Sequence, residues 1–99
     1  MKREIIFAPL ARLEFEDAVA WYEKQHAGLG GEFSVEVHIA LQKVLISPER
    51  FRLASSTMHK TIMHRFPYSI YYSIELNAIN VVSIFHGARN PAELRRRLK

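Results

Sequence analysis

The hydrophobic spacing of this chain changes period once, and that change most constrains what it can fold into. From about Leu10 to Ser47 apolar residues recur at helical spacing, as in helices with buried faces. From Met58 to His86 the period becomes two, the mark of strands whose sides face different surroundings. Helices grouped in one half and strands in the other predict an α+β fold, not the βαβ alternation of a parallel sheet. A chain of 99 residues has room for one small domain, so residues 1–99 are expected to fold as a unit.

Residues 2–7 read as a short strand, ended by Pro9, which also suits a first helical turn. A helix is expected from about Leu10 to Gln25, with Leu10, Leu13, Ala18, Trp21 and Tyr22 on one broad side. Glu14 and Asp17 fall inside or beside that apolar arc, and a buried carboxylate there requires a basic partner from the sheet. Gly28, Gly30 and Gly31 mark a helix–helix turn. A second helix is expected from about Glu32 to Ser47, stopping before Pro48. Phe33, Val37, Ala40, Leu41 and Val44 form its core stripe, while Val35, Ile39 and Ile46 lie almost opposite. Residues 49–57 read as a loop. Met58–Arg65, Tyr68–Glu75 and Ile79–His86 read as strands, with a bend at Phe66-Pro67 and a hairpin turn at Leu76-Asn77-Ala78. Asn90 is a helix N-cap, with Pro91 at the first helical position and Glu93 three residues after the cap. Leu94 and Leu98 then share a face. Strands joined by short turns pair antiparallel, so the expected architecture is two-layer: a helical hairpin on a mainly antiparallel sheet of about four strands, with a short C-terminal helix.

Charge is unevenly placed. Residues 1–48 carry 5 Lys/Arg against 7 Asp/Glu, a balance of −2; residues 49–99 carry 9 against 3, a balance of +6. The basic half suits an acidic partner, whether nucleic acid or an acidic protein segment, and also suits simple solubility. Arg95, Arg96 and Arg97 concentrate this charge and are candidates for contact with a target or nucleic acid; cations at a helix C-terminus also complement its dipole. The chain has no cysteine, so disulfides and thiolate metal sites are excluded. His26, His38, His59, His64 and His86 show no metal-ligand spacing, and neither a metal nor another cofactor is expected. The apolar run Ile5–Ala8 is too short for an export signal, and no run reaches membrane-spanning length. The expectation is a soluble cytoplasmic protein without a membrane partner.

Three stretches carry a family likeness. Ala18-Val19-Ala20-Trp21-Tyr22-Glu23 with Gly28-Leu29-Gly30, Phe33, Val37, Ala40-Leu41 and Pro48 resembles the helical hairpin of ParE-like toxins. Arg65-Phe66-Pro67-Tyr68-Ser69-Ile70-Tyr71-Tyr72 looks like that family's Arg-Phe-Pro-Tyr-x-Ile-Tyr-Tyr strand. Val81–His86 with Gly87-Ala88-Arg89-Asn90-Pro91 looks like its closing strand and turn. The resemblance to the RelE/ParE toxins covers nearly the whole chain, nearer the ParE side. It implies a RelE-like fold and the toxin role in a type II toxin–antitoxin pair, with growth inhibition once a cognate antitoxin is lost and a link to plasmid stabilisation. The implied target is DNA gyrase on the ParE side, or messenger RNA at the ribosome on the RelE side. One fold hosts several activities, and a non-toxic nucleic-acid-binding module also accommodates the basic half.

RNA cleavage by 2′-hydroxyl attack needs an acid, a base and cations on the phosphate. The candidates are His86 as proton shuttle, with Arg89 and Arg65 as phosphate holders; Lys60 and His64 add options. The structural alternative is that His86 caps the strand and Arg89 pairs with Glu14 or Asp17. RelE-like nucleases often carry a tyrosine near the C-terminus, and no tyrosine follows Tyr72. Tyr68, Tyr71 and Tyr72 can stack on bases, although strand aromatics more often pack. Val35, Ile39 and Ile46 form a stripe expected to be covered by the antitoxin, or in part by the first helix packed alongside.

Overall fold

A computed structural model gives the tertiary structure; it describes residues 3–97, the last by its backbone alone. The elements run β1 (Glu4–Phe7), α1 (Pro9–Gln25), α2 (Leu29–Ile46), a 3-10 turn (Pro48–Arg50), β2 (His59–Ile62), β3 (Tyr68–Ile74), β4 (Ala78–His86) and α3 (Pro91–Arg97). The sheet order is β1-β4-β3-β2. Both hairpin pairings are antiparallel, while β1 joins β4 in parallel, Glu4 opposite Ala78 and Phe7 opposite Val81. A backbone bond from the Ala8 N–H to the Val81 carbonyl (2.9 Å) carries this pairing to the start of α1. The expected α+β arrangement of a helical hairpin on a four-stranded sheet is the observed one. The parallel edge follows from the chain leaving β1 into the hairpin and returning last through the centre.

The core stripe of α2 is as expected: Phe33, Val37, Leu41 and Val44 are buried, with Ala40 packed beside them. They meet Ile70, Tyr72, Val81 and Ile84 from β3 and β4. Burying each such large side chain is worth roughly 1.5–3 kcal/mol. Tyr72 is fully buried and donates its hydroxyl to the Pro48 carbonyl at 2.7 Å, tying the sheet to the end of α2. On the far side of the sheet Tyr71, Phe85 and Leu94 form a smaller cluster under α3. The Asn90 side chain caps α3 by accepting the Ala92 N–H.

Two expectations need correction. The buried face of α1 is Ala11, Ala18 and Tyr22 with Phe15 partly buried, while Leu10, Leu13 and Trp21 are more than half exposed. Helical spacing alone marks the largest apolar side chains for burial. Close packing of the hairpin instead selects the small ones, Ala11 and Ala18, where α1 crosses its neighbours. Second, α2 begins at Leu29, running through Gly30 and Gly31. The Glu23 carboxylate accepts the Gly28 and Gly30 N–H groups at 2.9 and 3.0 Å, so the first turn is capped from α1. Glu93, three residues after the Asn90 cap, pairs with Arg89. Leu98, expected beside Leu94, lies outside the described residues. No helix among the described residues is long and apolar enough to cross a membrane.

Candidate functional site

Strand β4 outruns its neighbour β1, and the site is built on that mismatch. Past Val81 the edge of β4 that faced β1 has no strand beside it. Glu14 of α1 fills the gap. One carboxylate oxygen, Oε1, accepts the Ser83 hydroxyl and the Ile84 N–H, each at 3.0 Å. The other, Oε2, accepts a hydrogen bond from Arg89 at 2.6 Å. A carboxylate thus replaces the missing backbone acceptor, which removes the cost of a stranded donor.

Arg89 joins three elements. It pairs with Glu14 of α1 and Glu93 of α3, and its guanidinium lies 4.5 Å from the centre of the Phe85 ring of β4. Burial by itself pushes the guanidinium pKa down, but the hydrogen bonds that it donates to Glu14 and Glu93 outweigh this, and the group titrates above its usual range. The apolar-arc carboxylate has therefore found a basic partner, as its position required. Here it comes from the loop after the last strand.

Between α1 and the end of β4 lies a cleft of about 340 Å³. Glu14, Asp17, Ala18, Trp21 and Tyr22 form its α1 wall, with Tyr68, Ile84, His86 and Arg89 opposite. The rings of Trp21, Tyr22, Tyr68 and His86 run in sequence, with successive centroids 5.1, 6.3 and 4.9 Å apart. The His86 Nδ1 accepts the Ala88 N–H at 2.9 Å. A neutral ring held this way carries its proton on Nε2. It can donate from that nitrogen but has no free lone pair there to take a proton. Burial raises the Tyr22 and Tyr68 phenols above their ordinary range, Tyr68 further so through Tyr22 and Glu14 and against the opposing pull of Arg89. Both stay neutral near pH 7.

The structure brings His86 and Arg89 together and leaves Arg65 outside the cleft, paired with Glu32 on α2. Val35, Ile39 and Ile46 are all exposed, so α1 does not cover the second stripe of α2. Arg95 and Arg96 are exposed on α3, and the Arg97 side chain is outside the described residues. A second depression, on the α3 side of the sheet, is lined by Arg52, Leu53, Ala54, Lys60, Tyr71, Pro91, Leu94 and Arg95. Lys60 sits 5.8 Å over the Tyr71 ring. None of these three cations makes an ion pair among the described residues. Sequence reading missed Arg52 because it belongs to an irregular segment; the Leu53 to His59 bridge, the Lys60 N–H to Arg52 carbonyl bond and the contact of the His59 ring with the Phe51 carbonyl bring it beside β2.

No family model matches the sequence, and no curated protein matches it. Solved structures do. A chain of the chromosomal ParDE toxin–antitoxin system from P. aeruginosa superposes with a TM-score of 0.74 at 8% identity, over 86% of this chain and 96% of that one. A doubly substituted E. coli toxin RelE in the free state superposes with a TM-score of 0.59 at 18% identity, over 98% of this chain and 94% of that one. With the helical hairpin, the mixed four-stranded sheet and near-complete coverage of both neighbours in hand, the chain has the RelE/ParE toxin fold, nearer the ParDE chain in shape.

Proposed function

We propose that this chain is the toxin of a type II toxin–antitoxin pair, silenced by a cognate antitoxin, and that it acts by binding DNA gyrase and not by cutting RNA. One structural neighbour comes from a toxin–antitoxin system and the other is a toxin, which supports the toxin role. The observation that favours binding over cleavage is the state of the nuclease candidates. Arg89 is held by Glu14 and Glu93, Arg65 by Glu32, and the His86 Nδ1 by the Ala88 N–H. A phosphate approaching Arg89 meets two carboxylates already in place, and like charges repel it. Cations without such partners, Arg52, Lys60 and Arg95, gather on the other face, suited to an acidic target surface. Arg96 and Arg97 follow Arg95 in the sequence and add to the charge of that stretch. Val35, Ile39 and Ile46 offer the antitoxin an apolar strip on α2. Such a target puts the site of action in the cytoplasm.

The test is to induce the protein alone in cells and follow DNA breaks and ribosome-mapped RNA ends separately. Growth arrest with persistent DNA damage and no new RNA ends is the expected result. A reproducible cut pattern that vanishes with His86→Ala would assign the ribosome-dependent nuclease reading instead. Absence of any growth defect, with tight binding to nucleic acid, would leave a non-toxic binding module.

A further inference from the structure

The cleft between α1 and β4 has features that target binding through the opposite, basic face does not use. Its lining carries two carboxylates, Glu14 and Asp17, against one guanidinium, Arg89. Arg89 is already neutralised by Glu14 and by Glu93. Asp17 is exposed and makes no hydrogen bond or ion pair among the described residues. The surplus charge of the cleft is therefore negative, in a chain whose net charge is +4. Tyr22 supplies the second observation. It is nine-tenths buried, yet its hydroxyl finds no protein partner among the described residues and is not sealed from solvent. It lines the cleft, as does the Tyr68 hydroxyl, which is likewise without a protein partner. Buried phenols ordinarily find an acceptor or donor, so these two have hydrogen-bonding capacity left for a guest.

We infer that this cleft is a receptor for a single arginine side chain presented by a polypeptide partner. A guanidinium is planar, stacks on aromatic faces and carries five donors in a fixed fork. Trp21, Tyr22 and Tyr68 supply the faces, the phenol oxygens accept donors, and Asp17 supplies the counter-charge. The volume of about 340 Å³ is at the small end for ligand pockets and suits one side chain, not a nucleotide. A polypeptide source fits better than free arginine for two reasons. Arg89, the one cation in the cleft, is already occupied by carboxylates, which leaves nothing to hold a free α-carboxylate. Leu13, Asp17 and Trp21 also fall at i, i+4 and i+8 on α1, with Leu10 one turn before, and the three apolar members are more than half exposed. Asp17 thus sits within an apolar strip, the complement of an arginine flanked by apolar residues.

Trp21 is the single tryptophan of the chain and lines the cleft, so its fluorescence reports occupancy directly. The probes are a blocked Leu-Arg-Leu tripeptide amide, its citrulline counterpart, which is isosteric and uncharged, free arginine, and inorganic phosphate, all at constant ionic strength with the full chain. The arginine tripeptide is expected to give a saturable change, with the citrulline peptide at least tenfold weaker. Asp17→Asn, on an exposed helical position, weakens the arginine peptide about tenfold, and Tyr22→Phe, which keeps the ring, weakens it a few-fold; circular dichroism checks that both variants stay folded. Equal binding of the citrulline peptide, saturation by phosphate in its place, tighter binding of free arginine than of the tripeptide, or no saturable change with any probe each overturns the proposal. None of these outcomes depends on toxicity, so the cleft and the toxin reading stand or fall separately.

Discussion

Glu14 shows how one side chain can set the local structure. Its carboxylate stands in for a missing strand partner and holds Arg89, with only 13% of its side chain exposed against 35% for Arg89. Removing one partner of a largely buried pair leaves the other charge uncompensated, although the exposure of Arg89 lets water recover part of the loss. Glu14→Ala is expected to destabilise the chain by roughly 2 kcal/mol, and Glu14→Gln by less, since an amide oxygen still accepts the Ile84 N–H. Urea midpoints with unchanged slopes would measure both. Tyr72 makes an alkaline prediction. Burial, and then the nearby Glu49 charge, push its phenol up from 10.0 to about 12. The folded state therefore holds a proton that the unfolded chain releases earlier. Stability from this group is complete below pH 10 and is lost as the pH rises through about 12. Tyr22, Tyr68 and Tyr71 shift in the same direction. Unfolding free energy should fall across that window. Tyr72→Phe should flatten the fall while lowering stability at neutral pH by about 1–3 kcal/mol, because the buried Pro48 carbonyl loses its donor. An unchanged alkaline slope in Tyr72→Phe would refute the assignment.

At the scale of elements, the hairpin depends on close approach at one glycine. A Cβ at Gly30 would lie 2.5 Å from the Val19 carbonyl oxygen of α1, which no real contact tolerates, whereas one at Gly31 would meet nothing within 4 Å. Gly30→Ala should force the helices apart and cost roughly 1–3 kcal/mol. Gly31→Ala should be neutral or stabilise by up to about 0.5 kcal/mol, since alanine loses less backbone freedom in a helix. The melting temperatures of the two variants distinguish this from a turn in which both glycines are needed for backbone freedom. The only positive φ in the described chain belongs to Gly28, at 91°, so neither Gly30 nor Gly31 is there for a left-handed conformation.

Across the whole molecule, the exposed apolar strip of α2 and the cationic patch of Arg52, Lys60 and Arg95 lie in different places. Val35, Ile39 and Ile46 are exposed along α2, with Lys43 and Arg50 beside Ile39, and three cations without an ion pair among the described residues, Arg52, Lys60 and Arg95, lie on the α3 side of the sheet. Ile39→Asp is expected to leave the isolated chain folded, because that side chain is 45% exposed and lies outside the buried stripe of α2, and to weaken antitoxin binding at least tenfold, from a lost burial of roughly 1.5–3 kcal/mol. Unfolding of the isolated variant, or undiminished binding, would remove the strip from the antitoxin interface. Replacing Arg95, Arg96 and Arg97 by alanine should weaken engagement of an acidic target or antitoxin and flatten its dependence on salt. An identical salt series for wild type and variant would show that the tail is not a contact.

The period of the hydrophobic pattern determined the class of fold, because helices and strands bury different repeats of the same chain. It also located the buried stripe of α2, the cap at Asn90 and the exposed Val35, Ile39 and Ile46. Even the partner of Glu14 was foreshadowed: a carboxylate in an apolar arc demands a base, and Arg89 was one of the bases at hand. Register and neighbourhood were settled only by the tertiary structure. Leu10, Leu13 and Trp21 share a helical side with Ala18 and Tyr22, yet the tight crossing of α1 and α2 turns the small residues inward and leaves the large ones outside. The parallel pairing of β1 with β4 joins residues more than seventy positions apart, and no local spacing encodes it. The cleft follows from the same cause. It exists because β4 runs on past the end of β1, and the length difference between two strands has consequences only once they lie side by side.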